Sequence, residues 1–436
     1  MFLRRGALIA AIFSVVAALL DTRILLIFWA VWLALIALDT ALAGSPRSLT
    51  VTRDGEDLTR VDQAVTHRLH LQNNGRKVLR GKIRDAWPPS TGVFPDRHDF
   101  QLAAGATATF PVKCVPTRRG TIRSAAVTVR TYGPLQLAGR QATWNTDWTI
   151  QVLPPFLARR YLPARIQRLR ELAGRSLLLV RGAAGTEFDS LREYVVGDDV
   201  RNIDWRATAR LGETVVRTWQ PERDRQIIIL LDCGRSGALR IADAPAFDVF
   251  IETGLLLGAI ADRAGDRVTT LAISDTVHTR VTGVQGAQLM HKTATALADV
   301  EPTLAATDWT AALQTISTFT THPALVVILT TVGPGTISTG LLDVVAQLRR
   351  RHTVLVASPV LDNSAATAAA SATVEKSEST SASDIFAQAA TARVELTTRG
   401  VTREISATGA HTVSASSLEL PAVVADTYLE LKARGM

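Results

Sequence analysis

A chain of 436 residues is longer than one hydrophobic core usually serves, so two or three domains are expected. Its 47% hydrophobic content and mean hydropathy of +0.15 leave room for globular cores plus a membrane segment. The 48 basic and 40 acidic residues give a net charge of +8, but the cations are scattered among acids, with no stripe interleaved with aromatics. That scatter argues against nucleic-acid binding, and basic segments beside anionic lipid explain the surplus more simply. Two cysteines, Cys114 and Cys233, exclude a disulfide framework and a Cys-rich zinc site, and fit a reducing compartment.

Residues 1–44 read as a membrane anchor. Ala7 to Leu20 is almost wholly apolar, Asp21-Thr22-Arg23 interrupts, and Ile24 to Leu38 is apolar again. A span needs about 20 residues to cross roughly 30 Å of hydrocarbon. The first stretch is short for that, so Arg4, Arg5 and Arg23 must snorkel to the interfaces. The polar break predicts a tight turn between two short transmembrane helices. Two alternatives stay open: a cleaved signal peptide ending at Ala41-Leu42-Ala43, and a re-entrant hairpin that does not span. Arg4 and Arg5 at one end, with Arg47 and Arg53 at the other, predict that both ends are cytoplasmic. The expected location is the cell membrane, with lipid as one partner and the soluble domains cytoplasmic.

Residues 45–154 alternate in the manner of β-strands, as in Leu49-Thr50-Val51-Thr52, His67 to Leu71, Ala125 to Arg130 and Trp148 to Val152. Turn signals at Asn73-Asn74-Gly75, Pro88-Pro89 and Arg118-Arg119-Gly120 separate them, and the pattern predicts a small β-sandwich acting as a spacer. Residues 155–224 begin as a basic, partly helical connector.

From Arg225 to the end at residue 436 the texture becomes α/β. Ile227–Leu231, Leu325–Leu329 and Val354–Val356 are continuous apolar runs, as strands buried on both faces require, and Val268–Ile273 reads as another strand. Phe247–Ala264, Ala287–Leu297, Trp309–Phe319, Leu341–Arg350 and Thr427–Arg434 read as helices. This alternation predicts a doubly wound, mainly parallel sheet. Residues 364–383, rich in Ala, Ser and Thr, read as a flexible loop.

Ligands of such sheets bind beyond the carboxyl ends of the strands, where Asp232 falls in Asp232-Cys233-Gly234-Arg235-Ser236. The segment resembles the metal-ion-dependent adhesion loop of von Willebrand factor A domains, D-x-S-x-S. The resemblance implies a Mg²⁺ site using Asp232 and Ser236, with Thr307 as third element. Gly234 stands where that loop has its first Ser, and Thr330-Thr331 where its second Asp is expected, so the site is degenerate. The plain alternative is that Asp232 caps the loop that follows.

The densest motif lies before the sheet: Leu191-Arg192-Glu193-Tyr194, then Gly197-Asp198-Asp199-Val200-Arg201-Asn202-Ile203-Asp204-Trp205-Arg206-Ala207-Thr208-Ala209-Arg210. It resembles the signature of the domain-of-unknown-function-58 family, and the order of anchor, β-rich region and A-like domain extends the likeness along nearly the whole chain. The resemblance implies a membrane protein paired with a MoxR-type AAA+ ATPase in assembly or chaperone-like work. Read physically, Arg192, Arg201, Arg206 and Arg210 set among Asp198, Asp199 and Asp204 predict an ion-pair network. With Tyr194 and Trp205 they form an alternative, a protein interface. A metal-dependent hydrolase using Asp198, Asp199, Asp204 and Glu193 is the enzymatic alternative, opposed by the interleaved arginines. There is no H-E-x-x-H and no G-x-x-x-x-G-K-[ST], so no catalytic residue is assigned and ATP chemistry must come from a partner. An extracellular adhesion protein is a third class.

Overall fold

The computed structural model describes residues 2–3, 14–15, 22–179, 187–196, 198, 200–220, 225–241, 244–320, 322–333, 340–360 and 382–434. The chain divides into two compact units, Met1–Pro155 and Phe156–Met436.

In the first unit, α1 (Thr22–Leu42) is a 21-residue apolar helix. At 1.5 Å per residue it is about 31 Å long, enough to cross the hydrocarbon of a bilayer. Only Ile36 and Asp39 on it are buried. Thr22 and Arg23 lie inside this helix, so the predicted turn at residues 21–23 is not a turn at its last two positions. Those two residues open the helix because the long apolar run behind them propagates it. The first apolar stretch falls outside the described residues, apart from helical Ser14 and Val15.

Three small sheets follow. One runs β1 (Phe2–Leu3), β10 (Ala138–Trp144), β9 (Ala126–Tyr132), β5 (Leu79–Ala86), β6 (Arg97–Leu102). Another is β2 (Leu49–Gly55), β4 (Val65–Asn73), β7 (Thr107–Cys114), and the third is β3 (Leu58–Arg60), β11 (Thr149–Leu153), β8 (Gly120–Arg123). β4 is buried at Val65, His67, Leu69, Leu71 and Asn73 and open between them, the period-2 pattern of a half-buried strand. Leu69, Leu71, Ile83, Val127, Val129, Ile150 and Val152, drawn from all three sheets, are fully buried in one core.

Within that core sits a polar group of four. Asp85 accepts from the Arg53 guanidinium and lies 3.1 Å from His67 Nε2, while Cys114 Sγ is 3.7 Å from His67 Nδ1. All four side chains are buried. Burial, with the Asp85 charge adding to it, pushes the Cys114 thiol up to about 12.

The second unit opens with α2 (Leu162–Leu179), the antiparallel pair β12 (Glu187–Glu193) and β13 (Val215–Gln220), and α3 (Trp205–Leu211) between them. Its centre is a six-stranded sheet in the order β18 (Val277–Val281), β17 (Arg267–Ile273), β14 (Gln226–Asp232), β19 (Ala324–Leu329), β20 (Thr353–Pro359), β21 (His411–Ala415). Every pairing is parallel except β17 with β18. A short α4 (Arg235–Ala238) and a two-residue hairpin, β15 (Arg240–Ile241) with β16 (Ala244–Pro245), lead into α5 (Ala246–Arg263). α6 (Ala287–Ala298), α7 (Trp309–Phe319), α8 (Leu341–Arg349), α9 (Ala382–Ala407) and α10 (Leu420–Ala433) complete the unit.

Helices cover both faces of this sheet. Ile228 and Leu230 pack with Trp309 and Ile316 of α7, Val344 of α8 and Val401 of α9. Their neighbours Ile229 and Leu231 face Gly254 of α5. Alternation along β14 thus sends successive residues to opposite helical layers, which is why its run is apolar throughout.

Three differences from the sequence reading are physical. Residues 364–381 of the expected loop lie outside the described residues, while Ala382 and Ser383 are helical because they open α9. The last helix starts at Leu420, seven residues before the predicted Thr427, with Pro421 in its first turn, where a missing N–H costs nothing. β18 and β21 were not anticipated: β18 is exposed or half-exposed from Val277 to Arg280, and β21 is at most half-buried, so neither shows an apolar run.

Candidate functional site

Two clusters carry the predicted residues, and both lie in the second unit. The first sits at the carboxyl end of β14. Asp232 is wholly buried. Its Oδ1 accepts from Gly234 N (2.9 Å) and Thr307 Oγ1 (2.5 Å), and its Oδ2 accepts from Thr330 Oγ1 (2.6 Å). The Ser236 hydroxyl stands close enough to pull the carboxyl down as well. Burial raises the Asp232 carboxyl above the usual carboxylate range against the pull of these donors. Asp232, Ser236 and Thr307 are therefore together, and Thr330 joins them from the position where the adhesion loop is expected to have its second Asp.

Gly234 explains how the cluster closes. A Cβ there would lie 2.2 Å from Thr307 Oγ1 and 3.2 Å from Asp232 Oδ1. The glycine lets the Thr307 hydroxyl reach Asp232 directly. Asp308, beside Thr307, caps α7 by accepting from Ala311 N at 3.0 Å. A Mg²⁺-type cation asks for six oxygens in near-octahedral array, with one or two carboxylates and several waters. This cluster has one carboxylate, with both its oxygens already accepting and no exposed surface. The donors present do not fit such an ion, and among the described residues no group of three His, Cys, Asp or Glu could hold a metal.

The second cluster is the signature segment. Arg192 forms a bidentate pair with Asp198 (2.7 and 2.5 Å), and Asp198 also accepts from Val195 N at 3.0 Å. The hydrogen bond to Asp198 raises the Arg192 guanidinium further above its ordinary value. Asp204 is the N-cap of α3, accepting from Arg206 N and Ala207 N at 3.0 Å each, and pairs with Arg217 of β13 at 2.9 Å. The Ala207 amide foremost, with Arg217 beside it, holds the Asp204 carboxyl below its usual range.

The predicted network is thus corrected in its partners. Arg206 contributes its backbone N–H, and the side chain that pairs with Asp204 is Arg217, thirteen residues on. Register across the hairpin decides this: β13 runs beside β12 and bridges Val216 to Ile203, which brings Arg217 to the cap. No ion pair joins Arg206 or Arg210 to an acid among the described residues. Gly197 and Asp199 lie outside the described residues. Glu193 is exposed and Tyr194 half-buried, its N–H donating to Thr214 O at 2.8 Å. Arg201 is exposed.

What this framework displays is apolar. Val196 is 95% exposed, Trp205 69%, Leu211 63%, and Val195 and Val200 61% each. Trp205 and Ala209, one turn apart on α3, are both exposed, as are Arg206 and Arg210. Trp205, set among arginines, carries an interface signal in the sequence itself. Val195, Val196, Val200 and Leu211 carried no signal, because isolated apolar residues in a polar stretch are expected to be buried.

Residues 190–404 match the family described as "Protein of unknown function DUF58". The matched stretch takes in the whole motif from Leu191 to Arg210 and the whole Asp232 cluster. Uncharacterized proteins of Mycobacterium bovis and Mycobacterium tuberculosis are 29% identical over 120 residues, 28% of this chain and 38% of theirs. The match spans well under two thirds of the length of those curated relatives. Among solved structures, the CARDB domain of a Pyrococcus furiosus protein is similar over 24% of this chain and 91% of that one, at 17% identity and a TM-score of 0.17. Proximal thread matrix protein 1 of the mussel byssus, with a zinc-occupied MIDAS motif, is similar over 48% of this chain and 46% of that one, at 11% identity and a TM-score of 0.29.

Proposed function

We propose that this chain is a membrane-tethered, non-enzymatic protein-binding protein that docks an AAA+ ATPase of the MoxR type through its DUF58 signature face, in assembly or chaperone-like work. The observation that carries the reading is the exposure of Val196, Trp205 and Leu211 on a segment braced by the Arg192–Asp198 and Asp204–Arg217 pairs. Large apolar side chains left in water on a pinned frame favour a partner that covers them, and Trp and Arg are the residues interfaces rely on most. Exposed Arg206 and Arg210 suit a partner surface that is acidic.

Parallel strands, helices on both faces and an acid closing β14 support a von Willebrand factor A-like reading of the second unit, with a metal-free Asp232 cluster. For the first unit, facing sheets around one core support a β-sandwich, and apolar α1 supports the tether. Backbone pairing of Phe2–Leu3 with Gly139–Ala138, beside the turn that holds Asp39, supports a chain that leaves and returns on one side of the bilayer. Arginines flanking the anchor support the cytoplasmic side.

The test is capture by the full chain, solubilised from membranes, against a native lysate with ATP and Mg²⁺. Enrichment of an AAA+ ATPase is the expected result. Recovery of no such ATPase, from a chain shown to be folded, refutes the assignment.

A further inference from the structure

The last turns of α1 contain a carboxylate that the sequence gives no reason to notice. Asp39 follows an apolar run and is wholly buried. Its Oδ1 accepts from Leu135 N (2.8 Å), and its Oδ2 from Leu137 N (2.8 Å) and Ala138 N (3.0 Å). Two of these amides belong to the turn joining β9 to β10, and the third, of Ala138, opens β10. Gly133 opens that turn and has no room for a side chain, since a Cβ would come within 2.1 Å of Asp39 Oδ1. Just beyond the helix, Thr131 Oγ1 donates to Gly44 O at 2.7 Å, a second tie on the same strand.

A carboxylate in hydrocarbon is costly even with backbone amides donating to it, and the turn that supplies those amides is itself polar backbone that belongs outside the hydrocarbon. Asp39 therefore marks where the helix can leave lipid. From Asp39 back to Thr22 the helix rises about 26 Å at 1.5 Å per residue, close to the roughly 30 Å of a hydrocarbon core. Over that length only Ile36 is buried against protein. The bonded turn consequently stands level with the lipid boundary, and its tip exposes Pro134 and Leu135, Leu135 by 51%, with the uncharged amide side chain of Gln136 beside them.

We propose that the β9–β10 turn is a second membrane contact, with Pro134 and Leu135 seated in the lipid interface and the Asp39 clasp fixing their depth. The inference rests on the reading of α1 as a membrane helix and adds a surface to it. The clasp couples the helix rigidly to the β-rich unit, so that this unit sits against the bilayer and does not swing on a tether. The occupant of the tip is lipid because the turn is bonded directly to Asp39 of α1, whose sequence neighbours Leu38 and Leu42 are about half exposed.

The test uses the full chain reconstituted in phosphatidylcholine vesicles, with Leu135→Cys carrying an environment-sensitive fluorophore. Both native thiols are buried and leave little background. Phe94→Cys is the control. Phe94 is 80% exposed and lies past the Ala86–Ala126 end of the β5–β9 register, away from the turn. Shallow nitroxide lipids are expected to quench the label at 135 and leave that at 94 untouched. Asp39→Ala should lower quenching at 135 while the chain still floats with the vesicles. Equal, weak quenching at both sites in a chain that floats overturns the proposal. A chain that does not float overturns the membrane-helix reading itself.

Discussion

Restoring the D-x-S-x-S pattern by Gly234→Ser should damage the second unit and not create a metal site. The new Cβ would fall 2.2 Å from Thr307 Oγ1 and 3.0 Å from Ala305 O. Neither can give way cheaply, because Thr307 is hydrogen-bonded to a buried carboxylate and Ala305 O accepts from Arg235 N at 2.8 Å. Forcing an atom into a filled site costs about 1–3 kcal/mol, and withdrawing Thr307 from Asp232 about 1–3 kcal/mol more. Stiffening the unfolded chain at a former glycine returns about 0.4–1 kcal/mol, so the net loss is about 1–6 kcal/mol. Hydrogen exchange of the full chain, followed at β14 and at residues 303–307, should show faster opening by that amount, and added Mg²⁺ should not reverse it. A variant as protected as the parent, or one that Mg²⁺ restores, would refute the closed-cluster argument.

Further outcomes follow from the buried groups. Asp85→Ala leaves Arg53 buried without its carboxylate and should destabilise the first unit by about 3–5 kcal/mol in denaturant unfolding, far more than an exposed pair such as Lys82–Asp99. Asp232, raised by burial, binds a proton in the fold where the unfolded chain has released it. Its contribution is complete below the ordinary carboxylate range and falls as pH rises through the raised value, a dependence that Asp232→Asn should remove from the unfolding profile. Cys233, like Cys114, is pushed up to about 12 by burial, so neither native thiol should react with maleimide at neutral pH until the chain unfolds. Topology must then be read from an introduced thiol. Leu418→Cys, 67% exposed in the parent, should be shielded from an impermeant reagent in intact cells and labelled after lysis.

Elements whose physics is local were legible. β14, β19 and β20 announce themselves as unbroken apolar runs, and Trp309–Phe319 is a helix with the boundaries its spacing gives. β18 and β21 were hidden because edge strands bury little, and α9 because its Ala- and Thr-rich sequence shows no strong apolar stripe. The grouping of Asp232, Ser236 and Thr307 was readable from strand-end position. What the glycine between them does was not, since it depends on a hydroxyl 73 positions away in sequence. The pairing of Asp204 with Arg217 and the clasp of Asp39 on the β9–β10 turn are tertiary facts of the same kind.

The proposal of a docking face is tested most directly by the affinity of the purified MoxR-type ATPase for the full chain, parent against Val196→Asp and Trp205→Asp. Both side chains are exposed, so the fold should survive, and circular dichroism checks that it does. Loss of a buried aromatic anchor at an interface costs about 2 kcal/mol or more, so Kd should weaken roughly 30-fold or further for Trp205→Asp, with Val196→Asp in the same direction. Parent-like affinity in both variants would contradict the account.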